Sequence, residues 1–122
     1  MFDHVSFKAN DLASSRHFYV EALKPLGVTV VAENESFVML GSPSGGKFVI
    51  ASGERAAAPV HLAFAAATRA QVREFHAAAL AAGGKDNGAP GLRPKYSATY
   101  YGAFVFDPNG NNVEAVCRAD GE

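Results

Sequence analysis

The 122-residue chain has a single cysteine, Cys117, so no disulfide can form within it, and no flanking motif marks that thiol for redox chemistry. A reducing cytoplasm is the expected compartment. Charge is also sparse: 19% of residues are charged, the formal net charge is -1, and no Lys/Arg cluster offers a footprint for nucleic acid or an anionic membrane. The opening "MFDHVSF" has neither a basic region followed by an apolar stretch nor a run long enough to span a bilayer, which argues against export or anchoring. These exclusions leave a small-molecule partner. The 48% hydrophobic content suits one ordinary globular domain, residues 1–122, with enough apolar material for a core.

What the chain does have is a repeat. "HVSFKANDLASSRHFYVEAL" (4–23) falls into register with "HLAFAAATRAQVREFHAAAL" (61–80) without a gap, matching His4 with His61, Phe7 with Phe64, Phe18 with Phe75 and Leu23 with Leu80. Gly27 and Gly84 extend the match at the same offset of 57 residues. Self-similarity at a fixed spacing implies two copies of one supersecondary unit.

Periodicity divides each copy into elements. Residues 2–8 alternate as a strand does, and Asn10 or Asp11 can cap a helix to about Lys24 whose apolar face is Leu12, Ser15, Phe18 or Tyr19, Ala22 and Leu23. Pro25 and Gly27 stop it. "VTVVAE", "SFVML" and "KFVIAS" read as three further strands, giving a βαβββ unit over about 1–53. After a linker at about 54–59, module two (about 60–118) repeats the order: strand "VHLAFA", a helix from about Thr68 to Ala82, and later strands "YGAFVF" and "NVEAVC" around the turn "DPNG". Residues 85–100, "KDNGAPGLRPKYSATY", are too polar and too rich in Gly and Pro to be regular throughout, and a connection of that length suggests a lid or binding loop. The fold class expected is α+β, two tandem βαβββ modules forming a curved mixed sheet. Aligning "SPSG" with "DPNG" sets Val49 opposite Glu114.

This pattern resembles the vicinal oxygen chelate superfamily, which includes glyoxalase I, fosfomycin-resistance thiol transferases, extradiol dioxygenases and bleomycin-resistance proteins. "DHVSFKANDLASSRHFYVEAL" resembles its opening strand and helix, "VHLAFAA" its fifth strand, and "FVFDPNGNNVEAV" its closing hairpin. The resemblance implies one divalent metal per site, held by His4, His61 and Glu114. It also implies a homodimer in which His4 of one chain joins His61 and Glu114 of the other. Two imidazoles and a carboxylate suit Fe, Mn, Ni or Co, and three ligands plus water also suit Zn. A lone His near a strand start is ordinarily structural or merely exposed, and its recurrence in both halves with a Glu in the apolar strand "NVEAVC" is what favours a site. His17 and His76 do not match each other and read as surface residues; Met39 reads as packing.

Position 49 narrows the chemistry. Glyoxalase I members carry a fourth, acidic ligand there that moves a proton, and valine can do neither, so the resemblance implies a metal-dependent enzyme without glyoxalase I activity. Its metal would act as Lewis acid or as the site of oxygen activation on a small oxygenated substrate. Glu114 is the catalytic candidate, and Arg93, Lys95, Tyr96, Tyr100 and Tyr101 are candidates for orienting the substrate. Two alternatives remain open. One is a bleomycin-resistance-type binding protein without catalysis. The other is a thiol transferase of the fosfomycin-resistance kind, against which Pro94, Ala98 and Phe104 stand where that group has Lys, Ser and Tyr, implying a poor hold on a phosphonate.

Overall fold

In "HVSFKA" the alternation forms β1 (His4–Ala9), with Phe7 and Ala9 turned inward and Ser6 and Lys8 outward. This computed structural model describes all residues, 1–122. Helix α1 (Leu12–Leu23) follows, its N-terminus capped by the Asp11 carboxylate, which accepts from the Ser14 N–H. Ser15, Phe18, Tyr19, Ala22 and Leu23 form its buried stripe, the spacing of one helical face. A 3-10 turn with Pro25, then Gly27 at φ 78°, ends it. Only glycine takes that left-handed conformation without strain. Strands β2 (Thr29–Asn34), β3 (Phe37–Gly41) and β4 (Lys47–Ser52) complete a sheet of order β1-β4-β3-β2, in which β1 and β4 run parallel.

The second module has the same topology. Strand β5 (His61–Ala65) leads to α2 (Arg69–Ala81), which opens with a reciprocal capping box between Thr68 and Gln71. Strands β6 (Lys85–Leu92), β7 (Tyr101–Phe106) and β8 (Asn112–Cys117) give the order β5-β8-β7-β6, again with the first and last strands of the module, β5 and β8, adjacent and parallel. The chain is therefore α+β with two tandem βαβββ modules. No helix is long and apolar enough to cross a membrane.

One stretch departs from the sequence expectation. "KDNGAPGL", read as part of an irregular 85–100 segment, is strand β6, and only 93–100 lacks strand or helix. An edge strand tolerates this composition because it pairs on one side alone, leaving Pro90 free of the ladder bond it cannot donate. Register shifts at Asp86/Gly88 and Gly88/Gly91 absorb the remaining irregularity.

Strand pairing also tests the repeat. Ser6 pairs with Val49 in module one and Ala63 with Glu114 in module two, so Val49 and Glu114 occupy equivalent positions. The offset grows from 57 at the histidines to 65 here chiefly because the β6–β7 connection, residues 93–100, is longer than its β2–β3 counterpart, residues 35–36, the rest coming from longer strands.

Both helices lie against the inner faces of the sheets and against each other, burying Phe18, Tyr19, Ile50, Phe75, Val105 and Cys117 completely. The modules are joined by a polar knot. The Tyr19 hydroxyl donates to Asp107 Oδ2 at 2.5 Å, while Asp107 also accepts from the backbone N–H of Asn109 and Asn111 and from the Asn111 amide. Burial, then the Asp107 charge and its hydrogen bond, push the Tyr19 hydroxyl far above the usual phenol range. Gly84 matches Gly27 in the repeat for a different reason: a Cβ there would lie 2.6 Å from the Phe18 ring and 2.9 Å from the Ala79 carbonyl oxygen.

Candidate functional site

Helices cover one face of each sheet, so residues of opposite parity line the other. On β8, Val113, Ala115 and Cys117 are fully buried beneath α2, which turns Asn112, Glu114 and Val116 to the open face. Glu114 is nevertheless only 2% exposed. Its cover is specific: His61 Nε2 lies 3.0 Å from Oε1, and the Tyr100 hydroxyl donates to Oε2. Gly102, on the neighbouring strand, leaves room for this carboxylate, since a Cβ there would fall 3.3 Å from Oε2.

His61 is oriented from two sides. Its Nδ1 lies 3.1 Å from the Asn112 backbone carbonyl, which can only accept, so Nδ1 carries a hydrogen. Its ring stacks on Phe104 at 6.3 Å between centroids and 21° between planes. Nε2 therefore faces a carboxylate oxygen, and two such acceptors approach favourably only with a proton or a bridging cation between them. An imidazole nitrogen and a carboxylate oxygen are donors a borderline divalent ion accepts, and a carbonyl on the far imidazole nitrogen is the usual support for such a ligand. The pair thus fits a metal as a half-site. Within one chain no group of three His, Cys, Asp or Glu side chains is close enough to hold an ion.

Above the pair opens a cleft of about 630 Å³, walled by Tyr96 and Tyr100 and flanked by Lys95 and Arg118. Burial, then the hydrogen bond to Glu114 and the Glu114 charge, push the Tyr100 hydroxyl up to about 12 against a partial opposing pull from Arg118. Tyr100 accordingly stays protonated at neutral pH and acts as a donor to Glu114. A smaller cavity of about 180 Å³ beside the 41–46 turn, lined by Phe2, Phe48 and Phe64, contains no His or Glu.

This architecture has relatives. The model of the Glyoxalase/Bleomycin resistance protein/Dioxygenase superfamily matches residues 1–115. The chain belongs to that superfamily. Among solved structures, a glyoxalase/bleomycin resistance protein from Albidiferax ferrireducens T118 is 36% identical with a TM-score of 0.84, covering 98% of this chain and 99% of that one. A glyoxalase-related enzyme from Fulvimarina pelagi (19% identity, TM-score 0.75, 100% and 95% covered) shares the fold. So does a glyoxalase/bleomycin resistance protein/dioxygenase family enzyme from Burkholderia phytofirmans PsJN (18%, 0.75, 96% and 98%). No curated protein matches.

Within this superfamily scaffold the candidate residues separate. His61, Glu114, Lys95, Tyr96 and Tyr100 share the cleft. His4 stands at the start of β1 in the other module, exposed, its Nδ1 donating to Asp3 Oδ1 at 2.8 Å. Arg93 lies 5.4 Å over the Phe104 ring and donates to the Ala89 carbonyl, outside the lining of the cleft. Tyr101 has the opposite parity to Phe104 and meets Arg69 and Arg73, on the α2 side of the sheet. Three lining residues were not among the candidates: Asn112 and Arg118, and Phe104, which the sequence noted only as a departure from a tyrosine. The signal was available, since Asn112 and Arg118 share the parity of Glu114 along the chain and Phe104 is its cross-strand partner. His76, read as a surface residue, is largely covered and pairs with Asp86 at 3.0 Å. That hydrogen bond, helped by the Gly88 N–H, holds the Asp86 carboxyl below its ordinary range.

Proposed function

We propose that this protein is a metal-dependent enzyme acting on a small oxygenated substrate, with His61 and Glu114 of one chain and His4 of a second chain holding one divalent ion. The observation that carries this reading is the 3.0 Å approach of His61 Nε2 to a buried Glu114 oxygen at the base of an open cleft. A bound ion would supply Lewis-acid polarisation of neighbouring substrate oxygens, or oxygen activation. The chain's own residues do the rest. The Asn112 carbonyl fixes the imidazole tautomer, and Tyr100 ties up Glu114 Oε2 so that Oε1 alone faces His61. The open face of module one, with Ser6, Val49 and Met39 in register across three strands, has no covering element within the chain, which is the opening a symmetric homodimer would close.

Metal analysis of untagged protein should find about one divalent ion per site, with affinity lowered in His61→Ala and Glu114→Ala. Equal occupancy in the wild type and in a His4, His61, Glu114 triple alanine variant would reject the site. Mixing His4→Ala with Glu114→Ala chains separates shared from single-chain ligation: a verified heterodimer regains one intact site only if both chains contribute.

A second reading has its own support. A single proton between His61 Nε2 and Glu114 Oε1 satisfies the 3.0 Å contact without a metal, as suits a bleomycin-resistance-type protein that binds its ligand in the cleft without catalysis. Saturable ligand binding by rigorously metal-free protein, unaltered when metal is restored, would favour it.

A further inference from the structure

The cleft has more positive charge than its own carboxylate neutralises. Glu114 is the one acidic residue in its lining, and both Glu114 oxygens are already engaged by His61 and Tyr100. Lys95 and Arg118 line the same cleft and form no ion pair, in contrast to Arg16 and Arg73, which are matched by Glu33 and Glu122. Nor are they loose. The Arg118 guanidinium sits 4.8 Å over the Tyr100 ring, Lys95 Nζ sits 5.2 Å over the Tyr96 ring, and the two rings pack 4.9 Å apart. Cation–π contact localises each head group while leaving its N–H donors free, and the planar fork of arginine matches an oxyanion bidentately. Tyr100 spans the two parts of the site, its hydroxyl on Glu114 and its ring face under Arg118.

We propose that the cleft selects a small oxygenated molecule bearing a separate anionic group, a carboxylate or a phosphonate, which Arg118 and Lys95 hold while its neighbouring oxygens face His61 and Glu114. The inference rests on the reading of this cleft as the substrate site. It also revises the sequence expectation of a poor anion grip: positions 94, 98 and 104 lack the basic and hydroxyl groups, but the cations arrive from 95 and 118.

The test is calorimetric titration of purified protein, with and without added Mn(II), using 3,4-dihydroxybenzoate, 3,4-dihydroxyphenylphosphonate and uncharged catechol. At least one anionic probe should bind about tenfold or more tightly than catechol, the preference falling with added salt. Whichever anionic probe binds better identifies the anion. Read as the ratio of anionic-probe to catechol affinity within each variant, the preference should fall in Arg118→Gln and in Lys95→Gln and vanish in the double variant, with circular dichroism checking that each variant is folded. Equal affinity for charged and uncharged probes, no saturable binding of either anion, or a preference that survives the double variant would overturn the proposal. Failure of the functional reading has a different signature: Glu114→Ala leaves catechol affinity unmoved, while the Arg118-dependent preference persists.

Discussion

Replacing Tyr100 by Phe removes one hydroxyl and little else, because the ring keeps its packing against Tyr96 and under Arg118. What is lost is the donor to Glu114 Oε2 on a carboxylate that is 2% exposed. A hydrogen bond to a charged group is worth about 1.5–3 kcal/mol, and the open cleft beside the hydroxyl lets water recover part of it, so about 1–2 kcal/mol is expected at pH 7. In a domain of this size that is a fall in Tm of roughly 3–8 °C, measured by circular dichroism at one protein concentration. Its pH dependence is the sharper check. The folded-state pKa of Tyr100, about 12, lies above the ordinary tyrosine value of 10.0. The neutral hydroxyl's contribution is therefore complete below about pH 10 and is lost as pH rises through the folded value. The wild-type advantage over Tyr100→Phe should be constant from pH 7 to 9 and shrink above 10. Equal stability at pH 7, or a difference that stays constant to the alkaline limit, would refute this account of how Glu114 is held.

Three further outcomes follow from other parts of the molecule. Gly84→Ala forces a Cβ against the Phe18 ring and the Ala79 carbonyl, and should destabilise the fold by about 1–3 kcal/mol in urea titration, whereas a neutral result would mean that α2 shifts freely. Asp107→Ala strips four donors, the Tyr19 hydroxyl among them, of a buried acceptor; a loss of about 3 kcal/mol or more is expected, measured by chemical denaturation. With valine at position 49, the wild type should turn over the methylglyoxal–glutathione hemithioacetal poorly or not at all, and Val49→Glu should raise metal affinity if the carboxylate reaches the ion. Efficient wild-type glyoxalase I turnover that disappears in Glu114→Ala would show that another residue serves as the base.

Much of the architecture is legible in the chain because its periods are local. The buried stripe of α1 is the one the spacing of Ser15, Phe18, Ala22 and Leu23 predicts, and the two-residue alternation of "NVEAVC" alone turns Glu114 away from Val113 and Ala115. The equivalence of Val49 and Glu114 was likewise open to reading, because "SPSG" and "DPNG" anchor their strands at matching distances. Strand β6 was not. Gly88, Pro90 and Gly91 carry no strand preference, and the hydrogen bonds that make them a strand come from β7, a partner the local sequence does not specify.

The site depended on pairing across strands and on where each strand begins. Tyr100 and Tyr101 are neighbours of one residue type, yet one hydroxyl holds Glu114 while the other faces Arg73, because β7 starts between them and parity sends them to opposite faces. Lys95 and Arg118 are 23 positions apart and meet at one cleft only after β7 and β8 pair. Every element but β6, the repeat, and the place of Glu114 on the open face of β8 follow from side-chain periodicity along one segment and can be read without the fold. The resemblance named His61 and Glu114 as partners, but their 3.0 Å approach, the cover of Tyr100 over Glu114 and the absence of a third ligand within the chain are distances between segments, which no local period encodes and only the packed chain sets.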